Sequence, residues 1–158
     1  RLVLRADTAA DLMTLNPLSV RQNASVREAG AFLIDKGISA APVINEAGHP
    51  VGVLSRADLL IHDRERTEHA VPEFYHRSEL LAPEGEPLPR GFQVEAVDRT
   101  MVKDVMTPVV FAVAPETPAA KVIEDMVGLR VHRLFVIDSN GVLVGVISVL
   151  DVLRHLRA

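Results

Sequence analysis

Two hydrophobic periods alternate along this chain, and their order occurs twice. Thr8 can cap a short helix running through Met13, and Leu18 to Val20 reads as extended after the break at Pro17. Ser25 with Glu28 forms a capping box. The helix after it carries Val26, Ala29, Leu33 and Ile34 on one face and ends at Lys36-Gly37, a cation followed by glycine. Two apolar runs, Pro42 to Asn45 and Val51 to Ser55, flank the turn Glu46-Ala47-Gly48-His49 and read as a pair of strands. A helix then begins at Arg56 and directs Leu59 and Leu60 toward the core. In the second set, Thr117 caps a helix with Pro118 at its first position, and Asp138-Ser139-Asn140-Gly141 makes the hairpin turn. A closing helix runs from about Val149 to the C-terminus.

A shift of 93 positions lays residues 10–60 on 103–153 without a gap, with identities at thirteen positions that include Asp11, Met13, Thr14, Gly48, Gly52, Ser55 and Asp58. Like-for-like exchanges such as Leu12 with Val105 extend the match through the core positions, so a duplication is the simplest account. The predicted fold is α/β (α+β), two gapless β-α-β-β-α repeats, each with a leading helix, related by pseudo-two-fold symmetry. A unit of about 50 residues is marginal alone, so the halves are expected to bury apolar faces against each other. The predicted boundaries are residues 1–61, a connecting segment 62–99 and residues 100–158. The connector holds Pro72, Pro83, Pro87 and Pro89, and reads as a helix tail followed by an irregular surface loop, with a possible helical turn at Glu79-Leu80-Leu81.

The repeat is sharpest at Gly52-Val53-Leu54-Ser55-Arg56-Ala57-Asp58 and Gly145-Val146-Ile147-Ser148-Val149-Leu150-Asp151. Each copy places a serine where an apolar strand turns into a helix. Unpaired N–H groups at a helix start favour an anion, and a carboxylate three residues on can accept from diol hydroxyls, a combination that suits a ribose phosphate. Ser-x-x-Asp is also a capping box that merely starts a helix, and this reading stands beside the first. Recurrence of glycine, serine and aspartate in register favours the ligand reading, since capping alone does not require the glycine.

Composition narrows the classes of function. With 158 residues and 48% hydrophobic content the chain has material for a core without staples. It has no cysteine, which excludes disulfides, thiolate metal sites and a cysteine nucleophile, and accords with a reducing cytoplasm. The net charge is −4 and no basic cluster is interleaved with aromatics, which argues against nucleic acid as partner. No apolar run approaches the ~20 residues that span a bilayer, and Arg1 to Leu12 shows no signal-peptide pattern.

Asp11-Leu12-Met13-Thr14 and Asp104-Val105-Met106-Thr107, the paired Gly-x-x-Ser-x-x-Asp, and Val131-His132-Arg133-Leu134-Phe135-Val136-Ile137-Asp138 together resemble a tandem pair of CBS domains, a Bateman module. The last run is similar to one in the gamma subunits of AMP-activated protein kinase. The resemblance implies a regulatory module that senses AMP, ADP, ATP or a related compound between the repeats, with no required cofactor, and that pairs into homodimers through helix faces such as Leu59, Leu60, Val152, Leu153 and Leu156. By position it implies Asp58 and Asp151 on ribose hydroxyls and Ser55 and Ser148 on phosphate. Backbone around Ile38, Ala40 and Pro42 and around Val131 to Phe135, with Thr14 and Thr107, would line the base pocket. Phe135 and Ala112 depart from the family's usual proline and Thr or Ser. A ligand-free dimerisation or interaction scaffold is the rival reading.

Arg56 supplies a cation directly after Ser55. The second copy has Val149 there and offers His132 and Arg133 instead, for which phosphate contact and plain surface charge are equally open. His62, His69 and His76 recur every seven residues, but Pro72 is expected to interrupt their helix and no metal-ligand spacing accompanies them. They read as exposed or helix-flank residues. Arg64-Glu65-Arg66 reads as a solvated helix end, and Met13 and Met106 as core filler. Nothing resembles a nucleophile elbow, a paired acid/base site or a metal-bound water, so no enzyme is predicted.

Overall fold

The computed structural model describes residues 1–79 and 98–158, with 68–79 described only as part of their helix. In chain order the elements are β1 (Val3–Leu4), α1 (Ala9–Leu12), β2 (Thr14–Leu15), β3 (Val20–Arg21), α2 (Val26–Lys36), β4 (Ala40–Ile44), β5 (Pro50–Ser55) and α3 (Arg56–Glu79). The second half holds α4 (Val102–Val105), β6 (Ala112–Val113), α5 (Ala119–Leu129), β7 (Arg133–Ile137), β8 (Leu143–Ser148), α6 (Val149–Arg154) and β9 (Leu156–Arg157).

The expected hairpins form with corresponding registers. Val43 pairs with Gly52 in one and Val136 with Gly145 in the other, and each is joined in parallel by its short first strand. One difference has a local cause. Phe135 donates its N–H to the Phe111 carbonyl at 2.9 Å and pairs with Ala112, whereas Pro42 at the equivalent position has no N–H, so β3 begins one residue later than β6.

The leading helices do not stay with their own repeats. Ala9 and Leu12 of α1 are buried among Val113, Ala119, Val122, Met126, Leu134, Val136 and Ile147, and Val102 of α4 is buried among Val20, Ala29, Leu33, Ala41, Val43 and Leu54. The exchange obeys the repeat in detail. Ala9 N–H donates to the Thr117 carbonyl at 2.8 Å and Ala119 N–H to that of Asp7 at 2.9 Å. Val102 N–H donates to the Ala24 carbonyl at 2.9 Å and Val26 N–H to that of Thr100 at 3.0 Å. As a result β2 completes a four-stranded sheet in the order β2-β8-β7-β6, while β3-β4-β5 forms a three-stranded one.

Several expectations are corrected. Ile34 is 72% exposed and Leu60 is 68% exposed, because Leu33 and Leu59 already occupy the core-facing positions and a helix turns about 100° per residue. Ala119–Leu129 is preceded by Pro118 as its cap, so the helix starts one residue later than predicted. Thr117 instead accepts from the Ala114 N–H at 3.1 Å to close a turn. The last helix ends at Arg154. Beyond it, β9 pairs antiparallel with β1, tying the two chain ends together. Helix α3 runs through Pro72 to Glu79, as a proline removes one helical hydrogen bond without always ending the helix. Leu80 and Leu81 lie outside the described residues.

Candidate functional site

Both serines stand at strand-to-helix junctions, Ser55 between β5 and α3 and Ser148 between β8 and α6. In each copy the aspartate turns back on the serine. Asp58 Oδ2 accepts from the Ser55 N–H at 2.9 Å and its hydroxyl at 3.0 Å, while the Asp58 N–H donates to Ser55 Oγ at 3.2 Å. Asp151 makes the same three bonds with Ser148, at 2.8, 2.9 and 3.1 Å. The capping box is therefore complete in both copies.

The second carboxylate oxygen does something a cap does not need. Asp151 Oδ1 accepts from the Thr14 hydroxyl at 3.2 Å, and Asp58 Oδ1 from the Thr107 hydroxyl at 3.4 Å. Each threonine comes from the other repeat, delivered by the exchanged leading segment. Thr14 pairs with Val146 on β8, and Thr107 exchanges two backbone hydrogen bonds of 2.9 Å with Val53 on β5. The glycine of the motif belongs to this exchange. A Cβ on Gly52 would lie 2.6 Å from the Thr107 carbonyl oxygen, and one on Gly145 would lie 2.6 Å from Met13 Sδ.

Of the other predicted residues, Pro42 is buried in β4, while Ile38 and Val131 are half-buried and pack against the two cores. Arg56 Nε donates to the Ile38 carbonyl at 3.1 Å, and Arg56 N–H to that of Ser39 at 2.9 Å. Val149 N–H makes the matching bond to the His132 carbonyl at 3.0 Å, with no cation on its side chain. His132 and Arg133 are exposed, and Arg133 Nη1 reaches the Ala40 carbonyl at 3.4 Å. A surface hollow of about 470 Å³ lined by residues 112–116 and 137–139 opens at the far end of β7 from Arg133 and includes none of these residues.

A second polar cluster escaped the sequence reading. His62 Nε2 lies 2.8 Å from Asp98 Oδ2 and Arg66 Nη1 3.4 Å from the same oxygen, with only 11% and 14% of the His62 and Asp98 side chains exposed. Of the expected exposed or helix-flank placements, His62 thus stands on helix α3 but is largely buried, and Arg66 is not simply solvated. His69 and His76 lie outside the side chains described. Burial pushes the Asp98 carboxyl up, but hydrogen bonds from Thr100 and His62, with Arg66 beside it, outweigh that and hold it at about 2. No local signal marked this pair, since 36 positions separate its members. Among the described residues no group of three or more metal-ligating side chains occurs, and no helix is long and apolar enough to cross a membrane.

Comparison with known proteins agrees with this architecture. The bovine 5'-AMP-activated protein kinase subunit gamma-3 is 31% identical over 137 residues, covering 87% of this chain, and the chain spans only 23% of that subunit's length. The solved complex of CBSX2 with AMP superposes with a TM-score of 0.67 at 26% identity, covering 94% of this chain and 95% of that one. The cytosolic domain of the Mg2+ channel MgtE in complex with ATP gives 0.65 at 28% identity, covering 96% of this chain and 49% of that one. The family model of the CBS domain matches residues 9–65 and again 102–158, and the chain therefore belongs to the CBS domain family, with two copies in tandem.

Proposed function

We propose that this chain is a non-catalytic regulatory module that senses an adenosine nucleotide in the cleft between its repeats. The observation that carries this reading is the crossed pairing of Thr14 with Asp151 and Thr107 with Asp58. A capping aspartate needs one oxygen for its helix, and here the other is aimed at a hydroxyl supplied by the opposite repeat. A ribose diol can take the place of that threonine hydroxyl as donor, so ligand and repeat contact use one acceptor. Ser55 and Ser148, whose N–H and hydroxyl hydrogens stay on Asp58 and Asp151, then border the phosphate, which lies beside Arg56 in one site and His132 and Arg133 in the other, and backbone at Ile38, Ala40 and Pro42 and at Val131 borders the base. CBSX2 holds AMP in its solved complex and the MgtE cytosolic domain holds ATP, which supports the ligand class. Lack of cysteine accords with work in the cytoplasm.

Calorimetric titration with AMP, ADP and ATP tests the reading, as does adenine absorbance of the purified protein, easily seen in a chain with one Tyr and no Trp. Saturable binding of any of the three supports it, and no binding by all three would overturn it in favour of the scaffold.

A specific observation favours pairing of copies in either case. Ile34 and Val127 occupy equivalent positions and are 72% and 73% exposed, as do Leu60 and Leu153 at 68% and 53%. Of the faces expected to pair, Leu59 and Val152 pack into the cores and Leu156 lies in β9, so Leu60 and Leu153 remain. Two-fold related apolar pairs suit an isologous homodimer. Light scattering at high micromolar concentration is expected to return twice the chain mass, and a monomer mass would refute the pairing.

A further inference from the structure

The two site aspartates differ in how much of their second oxygen is already taken. In both copies Oδ2 is filled by the serine N–H and hydroxyl, so only Oδ1, with its two lone pairs, is left for a ribose. On Asp58 that oxygen accepts from Thr107 alone among the described residues, at 3.4 Å. On Asp151 it accepts from Thr14 at 3.2 Å, and Arg154 Nη1 stands 3.6 Å away, an ion-pair contact rather than a hydrogen bond. Burial runs in the same order, since Asp151 is 8% exposed and Asp58 half-buried.

Position 154 corresponds to position 61 under the repeat, and Ile61 carries no charge. The helices differ as well. Helix α3 runs on to Glu79, whereas α6 stops at Arg154 and the chain turns into β9. Three hydrogen bonds fix that last turn: Arg157 Nη1 donates to the Arg154 carbonyl at 2.6 Å, His155 Nδ1 to the Asp151 carbonyl at 2.7 Å, and the Arg5 N–H to the His155 carbonyl at 2.8 Å. The Arg154 backbone is thus held one turn beyond Asp151, while 65% of its side chain is exposed. A cation in the last turn of a helix is ordinary, but this one reaches the acceptor a ribose needs.

We propose that Arg154 competes with ribose for Asp151 Oδ1 and so lowers the preference of the second site for a ribose diol, an inference that rests on the nucleotide reading above. A diol entering the first site displaces only the Thr107 hydroxyl. At the second it must displace the Thr14 hydroxyl and also a cation attracted to the same oxygen. A ligand that lacks the diol makes no claim on that oxygen and leaves Arg154 in place.

Calorimetry with the tightest-binding of AMP, ADP and ATP, and with its 2',3'-dideoxy analogue, tests this one site at a time. Asp58→Ala leaves the second site to be measured, and Asp151→Ala the first. The quantity compared is the ratio of the two affinities, because a change in net charge or in helix stability moves both ligands alike. Arg154→Ile in the Asp58→Ala chain should raise the ribose preference by roughly 2- to 5-fold, and Ile61→Arg in the Asp151→Ala chain should lower it by a similar factor. Both changes fall at exposed positions, and thermal melting verifies each fold. An unchanged or lowered ratio in Arg154→Ile would overturn the competition while leaving the nucleotide reading intact, as would a second site that binds neither ligand with or without Arg154. If the wild-type chain binds no nucleotide, both fall together.

Discussion

Gly52 lies so close to Thr107 that a Cβ built on it would stand 2.6 Å from the threonine carbonyl oxygen. That carbonyl is held by the Val53 N–H at 2.9 Å and cannot withdraw without breaking the link between repeats. At the equivalent Gly145 the closest atom is Met13 Sδ, which can rotate away, leaving Met13 Cβ at 3.0 Å. Gly52→Ala is therefore expected to cost about 1–3 kcal/mol as an overpacked contact and Gly145→Ala distinctly less. Urea unfolding of the two variants checks the order, and equal losses would contradict it.

Asp58 and Asp151 each serve a helix cap and a cross-repeat contact with different oxygens, so the two roles can be separated by substitution. Alanine at either position removes both, and is expected to cost about 1 kcal/mol of stability and to weaken one nucleotide site by roughly 1.5–3 kcal/mol. Asparagine keeps an acceptor for the serine and loses the second one, so Asp58→Asn and Asp151→Asn should retain most of the stability while still losing binding. Denaturation and calorimetry on the four variants decide between ligand site and cap. Binding untouched by all four would leave Ser-x-x-Asp as a cap alone.

Asp98, just ahead of the second repeat, is tied to α3 through His62 and Arg66. Its folded pKa of about 2 lies below the ordinary 3.8, so its contribution to stability is fully present above about pH 4 and is lost as pH falls toward 2. Stability measured by denaturant between pH 5 and 2 should fall less steeply in Asp98→Asn than in wild type, with a difference of up to about 2 kcal/mol developing across that window. Parallel curves would refute the assignment.

Arg130 ends α5 with φ 56°, in the left-handed region, at the position where Gly37 ends α2 with φ 64°. A side chain there is strained, and glycine is not. Arg130→Gly should raise stability by roughly 0.5–1 kcal/mol, measured as a higher denaturation midpoint. A lower midpoint would mean that the arginine side chain makes a stabilising contact.

What the sequence by itself determined was everything that depends on local periods and their recurrence. Ser25 accepts from the Glu28 N–H at 3.0 Å as its spacing predicts, Gly37 ends α2, and the two hairpins fall within two residues of the expected runs. The serine caps lie at the junctions where alternating apolar runs give way to helical spacing. Which of two adjacent apolar residues faces the core was not decided locally, as Leu33 against Ile34 and Leu59 against Leu60 show. Nor was the exchange of α1 and α4. Ala9-Ala10-Asp11-Leu12 and Val102-Lys103-Asp104-Val105 present similar apolar faces, and each repeat offers a matching groove, so the pattern is satisfied equally by a helix that stays and one that crosses. The threonine facing each aspartate follows from that exchange, 137 positions away in one site and 49 in the other. Tertiary structure alone decides it, because burial depends on which surfaces the chain path brings together and hydrophobic pattern records only which residues seek burial.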